Sequence, residues 1–210
     1  MLRRLSAALI VAAGITAAPA HAAPDPVALR ILDALPVHDP APMTGYSRDQ
    51  FGAAWTDNND DELGRNHCDT RDDILARDLT GVVRQGNCTV ISGTLIDPYT
   101  ARVIHFQRGP DSSAVQIDHI VALGNAWITG AQQLPAQRRI DLANDPHNLL
   151  AVDGQANNAK RDKDASQWLP PNTSFRCTYV ADQILVKTAY HLWITVAEKR
   201  AMTTILNQCP

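Results

Sequence analysis

The sequence predicts a mixed α+β fold in which helices dominate and a small antiparallel sheet is set among them. Three observations lead there. Apolar residues recur at helical spacing, as at Ile74, Leu75 and Leu79. Two alternating runs, residues 88–95 and 102–106, flank the turn signal Asp97-Pro98-Tyr99-Thr100, which is a hairpin pattern. The tail reads as helix, and Thr195-Val196-Ala197-Glu198 has the spacing of a capping box ahead of the last one.

Taken in order, the chain begins with Arg3 and Arg4, an apolar run over residues 5–18 and the small-residue site Ala20-His21-Ala22. That is the pattern of a secretory signal peptide over residues 1–22. The apolar run is too short for an anchor, so no membrane segment is expected in the mature form. Residues 23–44, with Pro24, Pro26, Pro36, Pro40 and Pro42, read as a linker around a short helix at 28–35. The main domain, residues 45–210, then opens with aromatic residues 46–55 that should pack on the body. Residues 57–66 are polar and acidic and read as an exposed loop. Residues 69–79 are helical, and 115–118 form a strand. Helices follow at 123–133 and 136–143, the second broken by Asn144-Asp145-Pro146. A short strand at 148–152 leads into a polar helix at 155–168, stopped by Pro170-Pro171, and 174–192 is a long amphipathic run.

The chain of 210 residues carries a net charge of −3, and losing the leader removes only Arg3 and Arg4, leaving it more acidic. Such a protein is not a general sponge for polyanions; contact with one requires a local basic patch and a bound cation. The four cysteines, an even number in an exported chain, indicate disulfides. Of three possible pairings, proximity along the chain favours Cys68–Cys88 and Cys177–Cys209. No Cys-x-x-Cys pair supports a zinc site.

The chemistry concentrates in Asp118-His119-Ile120-Val121, Asn148-Leu149-Leu150 and Asn157-Asn158-Ala159-Lys160. Asn157 and Lys160 lie three apart on a helix and share a face. If that face meets the end of the first strand, Asp118 and Asn157 offer two oxygens to one hard cation, with water and phosphate completing its shell. His119 titrates near neutral pH and suits a general base. Lys160 is placed to neutralise phosphate charge, and Arg161 and Lys163 extend a basic patch. Arg71 either follows a helix cap at Asp69 or Thr70 or reaches in to bind phosphate. Trp127, Trp168 and Trp193 lie in apolar contexts and read as packing residues.

These runs resemble the HNH (His-Me finger) endonucleases. The surrounding sequence resembles secreted actinobacterial HNH nucleases related to the C-terminal nuclease region of GmrSD restriction enzymes. Tyr46-Ser47-Arg48, Phe51-Gly52, Ala54-Trp55, Cys68-Asp69-Thr70-Arg71, Arg77-Asp78-Leu79 and Asp97-Pro98-Tyr99-Thr100 carry that likeness over nearly all of the mature chain. The resemblance implies a ββα-metal core, with His119 as base and Asp118 and Asn157 as metal ligands, Asn158 being the neighbouring candidate. It implies that Asn148 ties the loop and orients the base, and that Lys160 stands near the scissile phosphate. An amide where many members have His tilts the metal toward Mg²⁺ or Mn²⁺. The expected activity is a secreted endonuclease acting on DNA with little sequence preference. RNA is also within reach, because a site that reads phosphate discriminates poorly between sugars. The rival expectation is a secreted binding module with an inactive HNH site.

Overall fold

The computed structural model describes residues 26–209, so the expected leader at 1–22 lies outside the described residues. Helix α1 (Pro26–Ala34) precedes an arm with a tight helical turn at Arg48–Phe51. Helix α2 (Thr70–Asp78) starts at Asp69, whose carboxylate accepts the Asp72 N–H. Strands β1 (Thr80–Gln85), β2 (Thr89–Ile96) and β3 (Val103–Gln107) form an antiparallel sheet in that order. Strands β4 (Val115–His119) and β5 (Leu149–Asp153) form a second antiparallel pair. Helices α3 (Leu123–Ile128) and α4 (Ala136–Asn144) fill the connection between them. Helix α5 (Gly154–Lys160) follows β5 directly, and α6 (Arg176–Ala189) and α7 (Val196–Leu206) close the chain. The fold is therefore α+β. Among the described residues no helix is long and apolar enough to cross a membrane.

The β4–β5 pair is buried on both faces, which explains why Leu149-Leu150-Ala151-Val152 is an unbroken apolar run. Leu149 and Ala151 join a cluster with Ile74, Leu75, Val90 and Phe106 from α2 and the first sheet. Leu150 and Val152 face a second cluster built on α1, α6 and α7, with Leu32, Tyr179 and Met202. A third, around Phe51, Trp127 and Leu142, holds the arm against α3 and α4. The α5 helix can follow β5 so closely because residue 154 is glycine: a Cβ there would stand 2.1 Å from the Ser113 carbonyl oxygen. Disulfides join Cys68 to Cys88 and Cys177 to Cys209, fastening the approach to α2 onto β2 and the end of α7 onto α6. The capping box of α7 is formed in both directions between Thr195 and Glu198.

Several local expectations need correction. Strand β1 carries two left-handed glycines at its start and just after its end, Gly81 and Gly86, which hide it from a periodicity reading. The helix expected over 123–133 stops at Ile128, because Gly130 takes φ 125 and the Thr129 hydroxyl turns back to the Asn125 carbonyl. The polar helix stops at Lys160, where Arg161 takes φ 54 and the chain swings Asp162 over to accept the Gly124 N–H. Residues 57–66 do not simply hang in solvent. Asp57 accepts the N–H groups of Asn66 and His67, Asn59 is buried, and the Asp60 N–H donates to Asp141.

That folded loop brings Asp61 against Asp145 and Asp141. Burial, and then those two charges, push its carboxyl up to about 7. An unfolded aspartate titrates near ~3.9, so between these values the folded chain holds a proton the unfolded one has released. The resulting stabilisation is present at acid pH and is lost as the pH rises through about 7. Asp61→Asn should therefore raise the melting temperature at pH 8 and change it little at pH 4. Equal shifts at both pH values in thermal unfolding would clear Asp61 of this role.

Candidate active site

The end of β4 separates two adjacent side chains. Successive strand residues point to opposite faces, so Asp118 shares a face with Gln116, and His119 shares one with Ile117. Helix α5 packs on the Gln116–Asp118 face. The Asn157 amide there donates to Gln116 Oε1 at 2.9 Å, and one turn on, Lys160 reaches Asp118. Asp118, His119, Asn157, Asn158 and Arg161 all border one cavity of about 520 Å³. A neighbouring cavity of about 370 Å³ is bordered by His119, Asn157, Arg71, Arg48 and Trp55.

His119 is held from two sides. Its Nε2 lies 2.9 Å from the Ala143 carbonyl oxygen at the end of α4, and the Trp55 indole lies nearly parallel to it, with ring centroids 5.7 Å apart. A carbonyl only accepts, so Nε2 carries the proton and Nδ1 keeps its lone pair. Burial is the main reason the imidazole is pushed down to about 3, with the charges of Arg48 and Lys160 acting the same way against the Ala143 bond. The ring is neutral at pH 7.

Asp118 is 5% exposed and already bonded. The Tyr99 hydroxyl donates to Oδ2 at 2.5 Å, and Lys160 Nζ stands 2.9 Å from Oδ1 and 2.8 Å from Oδ2. Burial pushes this carboxyl up, and Lys160 and Tyr99 pull it back down. Lys160 was expected beside a phosphate. It is instead 0% exposed, and its third contact is the His119 carbonyl at 2.7 Å. Its place on the α5 face against β4 turns the ammonium inward, where it braces the Asp118–His119 corner.

Asn148 is likewise fully buried. Its side chain accepts the Val121 N–H at 2.8 Å and donates to the Leu142 carbonyl at 3.0 Å, and its own carbonyl accepts the Ile120 N–H. The residue ties the segment after His119 to the end of α4. Arg71 borders the smaller cavity while donating to the Val115 carbonyl at 3.2 Å. Arg161 is exposed on the rim of the larger cavity in a positive-φ conformation that favours glycine.

Four side chains of the site escaped the sequence reading: Tyr99, Gln116, Arg48 and Trp55. Tyr99 sat in a turn signal, and the turn itself is what delivers it. Asp97 accepts the Thr100 N–H and the Asp153 N–H, pinning the β2–β3 turn to the start of α5. The family-like runs around Arg48, Trp55 and Tyr99 were the available signal.

As for a metal, no group of three or more His, Cys, Asp or Glu side chains converges among the described residues. The shared cavity offers two carboxylates, Asp118, whose oxygens are already bonded to Lys160 and Tyr99, and Asp162, together with the carboxamides of Gln116, Asn157 and Asn158. That is an oxygen-donor set with few protein ligands, which fits a hard divalent ion that keeps water and phosphate in its shell.

The model of the GmrSD restriction endonuclease C-terminal domain matches residues 69–205, more than half of the chain. The chain belongs to that family. The match takes in Tyr99, Asp118, His119, Asn148, Asn157 and Lys160 and begins after the Arg48–Trp55 arm. Membership places the chain among nucleases, whose substrate is nucleic acid. An uncharacterized secreted protein of Arthroderma benhamiae is 39% identical to this family member over 181 residues, covering 85% of this chain and 83% of the relative. No solved structure matches the chain.

Proposed function

We propose that the protein is an exported, metal-dependent HNH endonuclease that hydrolyses DNA with little sequence preference. RNA is a second substrate within reach of the same phosphate-reading site. The observation that carries this reading is the neutral His119, whose free Nδ1 is set by the Ala143 bond, on a cavity shared with Asp118 and Asn157. In this reading β4, β5 and α5 are the ββα unit of the site. Export accords with the secreted relative and the two disulfides.

Asp118 and Asn157 would hold the divalent ion, Mg²⁺ by preference and Mn²⁺ as the alternative. When bound, such an ion would supply charge stabilisation to the phosphate oxygens and the departing 3′ oxygen. His119 Nδ1 takes a proton from the attacking water as its oxygen bonds to phosphorus. The P–O3′ bond breaks and the departing oxygen takes a proton from solvent water, leaving a 5′-phosphate and a 3′-hydroxyl. A phosphodiester anion arriving beside His119 favours the imidazolium, raising the ring's affinity for that proton when it is needed. Lys160 and Tyr99 keep the Asp118 carboxylate oriented, and Asn148 keeps the base from drifting with its loop.

Relaxation of supercoiled plasmid with Mg²⁺ or Mn²⁺, repeated with EDTA, tests the reading. Nicking that EDTA stops is the expected result. Nicking that persists in EDTA would overturn the metal dependence. No nicking under any metal would favour the inactive binding module.

A further inference from the structure

The arm ahead of the family match supplies a wall of the site. It is pressed onto the body by buried Phe51, by the bond from Arg139 Nε to the Gln50 carbonyl, and by Gly52. A Cβ on Gly52, which has φ 81, would stand 2.7 Å from the Ile140 side chain, so glycine lets the arm lie directly on α4. Two side chains on this arm look out of place for a purely structural strap.

The first is Arg48, exposed and bordering both cavities. Its guanidinium makes no hydrogen bond or ion pair among the described residues. Arg65, Arg77, Arg102, Arg108 and Arg138 are each held by an aspartate, whereas Arg48, like Arg161 on the same cavity, is in no ion pair among the described residues. In an acidic protein an arginine left without a carboxylate at the mouth of a site is an anion receptor. The second is Trp55, a bulky residue at φ 56 that lines the smaller cavity over His119. Left-handed backbone is uncommon at such a residue and persists where the surroundings or the function demand it.

We propose that Arg48 and Trp55 form a subsite for one unpaired nucleotide beside the scissile phosphate, with Arg48 on the backbone phosphate and the Trp55 wall beside the base. The smaller cavity, about 370 Å³, has the volume of a small-ligand site. A base inside a duplex is stacked on both faces and cannot also enter a walled cavity, so the occupant comes from a single strand or a locally opened one. The preferred substrate class is thus unpaired polynucleotide. This deepens the nuclease reading above and rests on it.

Fluorescein-labelled oligothymidylate and a hairpin duplex of equal length, titrated in EDTA, test the subsite by anisotropy. Cutting kinetics with Mg²⁺ on the same two substrates are the second readout. Wild type should bind the unpaired strand at least about tenfold more tightly than the duplex. Arg48→Ala should weaken binding and raise KM by roughly 10–100-fold, with a much smaller change in kcat. It should also flatten the salt dependence of log K by about 0.7, the loss of one phosphate contact on a single strand, and Arg48→Lys should recover part of the affinity. Trp55→Ala should erase the preference for unpaired strand, and Trp55→Phe should retain most of it. Arg48 is on the surface, so its variants report on binding even if Trp55→Ala fails to fold. Unchanged KM and salt slope in Arg48→Ala, or a wild type that binds duplex as tightly, would overturn the subsite while leaving the nuclease reading intact. A wild type that neither binds nor cuts any polynucleotide would overturn both.

Discussion

His119→Ala should lower the cutting rate by roughly 10²–10⁴-fold, the range supplied by a positioned general base. The loss is expected in kcat, because the imidazole acts on water and not on the grip of the strand. The fold should survive with a modest fall in melting temperature. The substitution leaves the Ala143 carbonyl without its donor and opens a gap beneath Trp55, and neither deficit unfolds a domain with three buried clusters and two disulfides. Added imidazole in solution should return part of the activity by filling the gap beside the indole. Plasmid relaxation and thermal unfolding on one preparation give both numbers. A folded variant that cuts at close to the wild-type rate would take His119 out of the base role.

Lys160→Met should lower stability severely. Lys160 and Asp118 form a buried pair, and removing one partner of such a pair costs about 3–5 kcal/mol because the other charge is left uncompensated. Here Asp118 keeps the Tyr99 hydroxyl and the His119 backbone N–H but loses its counter-charge, and the His119 carbonyl loses a donor as well. Asp118 would then escape ionisation by taking a proton, so the variant should be least disadvantaged at acid pH. Urea unfolding of wild type and variant measures the cost. The result also separates two roles for the lysine. A phosphate-binding Lys160 would leave stability untouched and raise KM; an internal brace lowers stability, and activity falls with the geometry of the corner. An unfolding free energy equal to wild type would restore the phosphate role.

The legible parts of the chain were those whose signal is local. The 74/75/79 spacing of α2, the β2–β3 hairpin about Asp97-Pro98, and the Thr195–Glu198 box are each set by neighbours within a few residues. The chemical groups of the site were also legible as residue types in a pattern. What escaped was anything decided by a partner far away in sequence. Residues 155–160 and 161–168 look equally helical, yet the helix ends at Lys160, where Asp162 is drawn to Gly124. The 57–66 loop looks soluble, yet Asp141 and Asp145 of another segment give it a seat and shift Asp61. Tyr99 looks like a turn residue until Asp97 anchors that turn on Asp153 and carries the phenol to Asp118.

The amino-acid order by itself determined the fold class, most of the elements and which functional groups are present: an aspartate and a histidine at one strand end, an amide and an amine on one helix face. The three-dimensional structure decided what each group does. It assigned the lysine to an internal charge, set the imidazole's tautomer through a carbonyl 24 residues away, and brought Arg48 from the arm to the mouth of the site. The physical reason is that a side chain's protonation, orientation and exposure depend on the dielectric and the hydrogen-bond partners around it, and most of those partners come from segments distant in the chain.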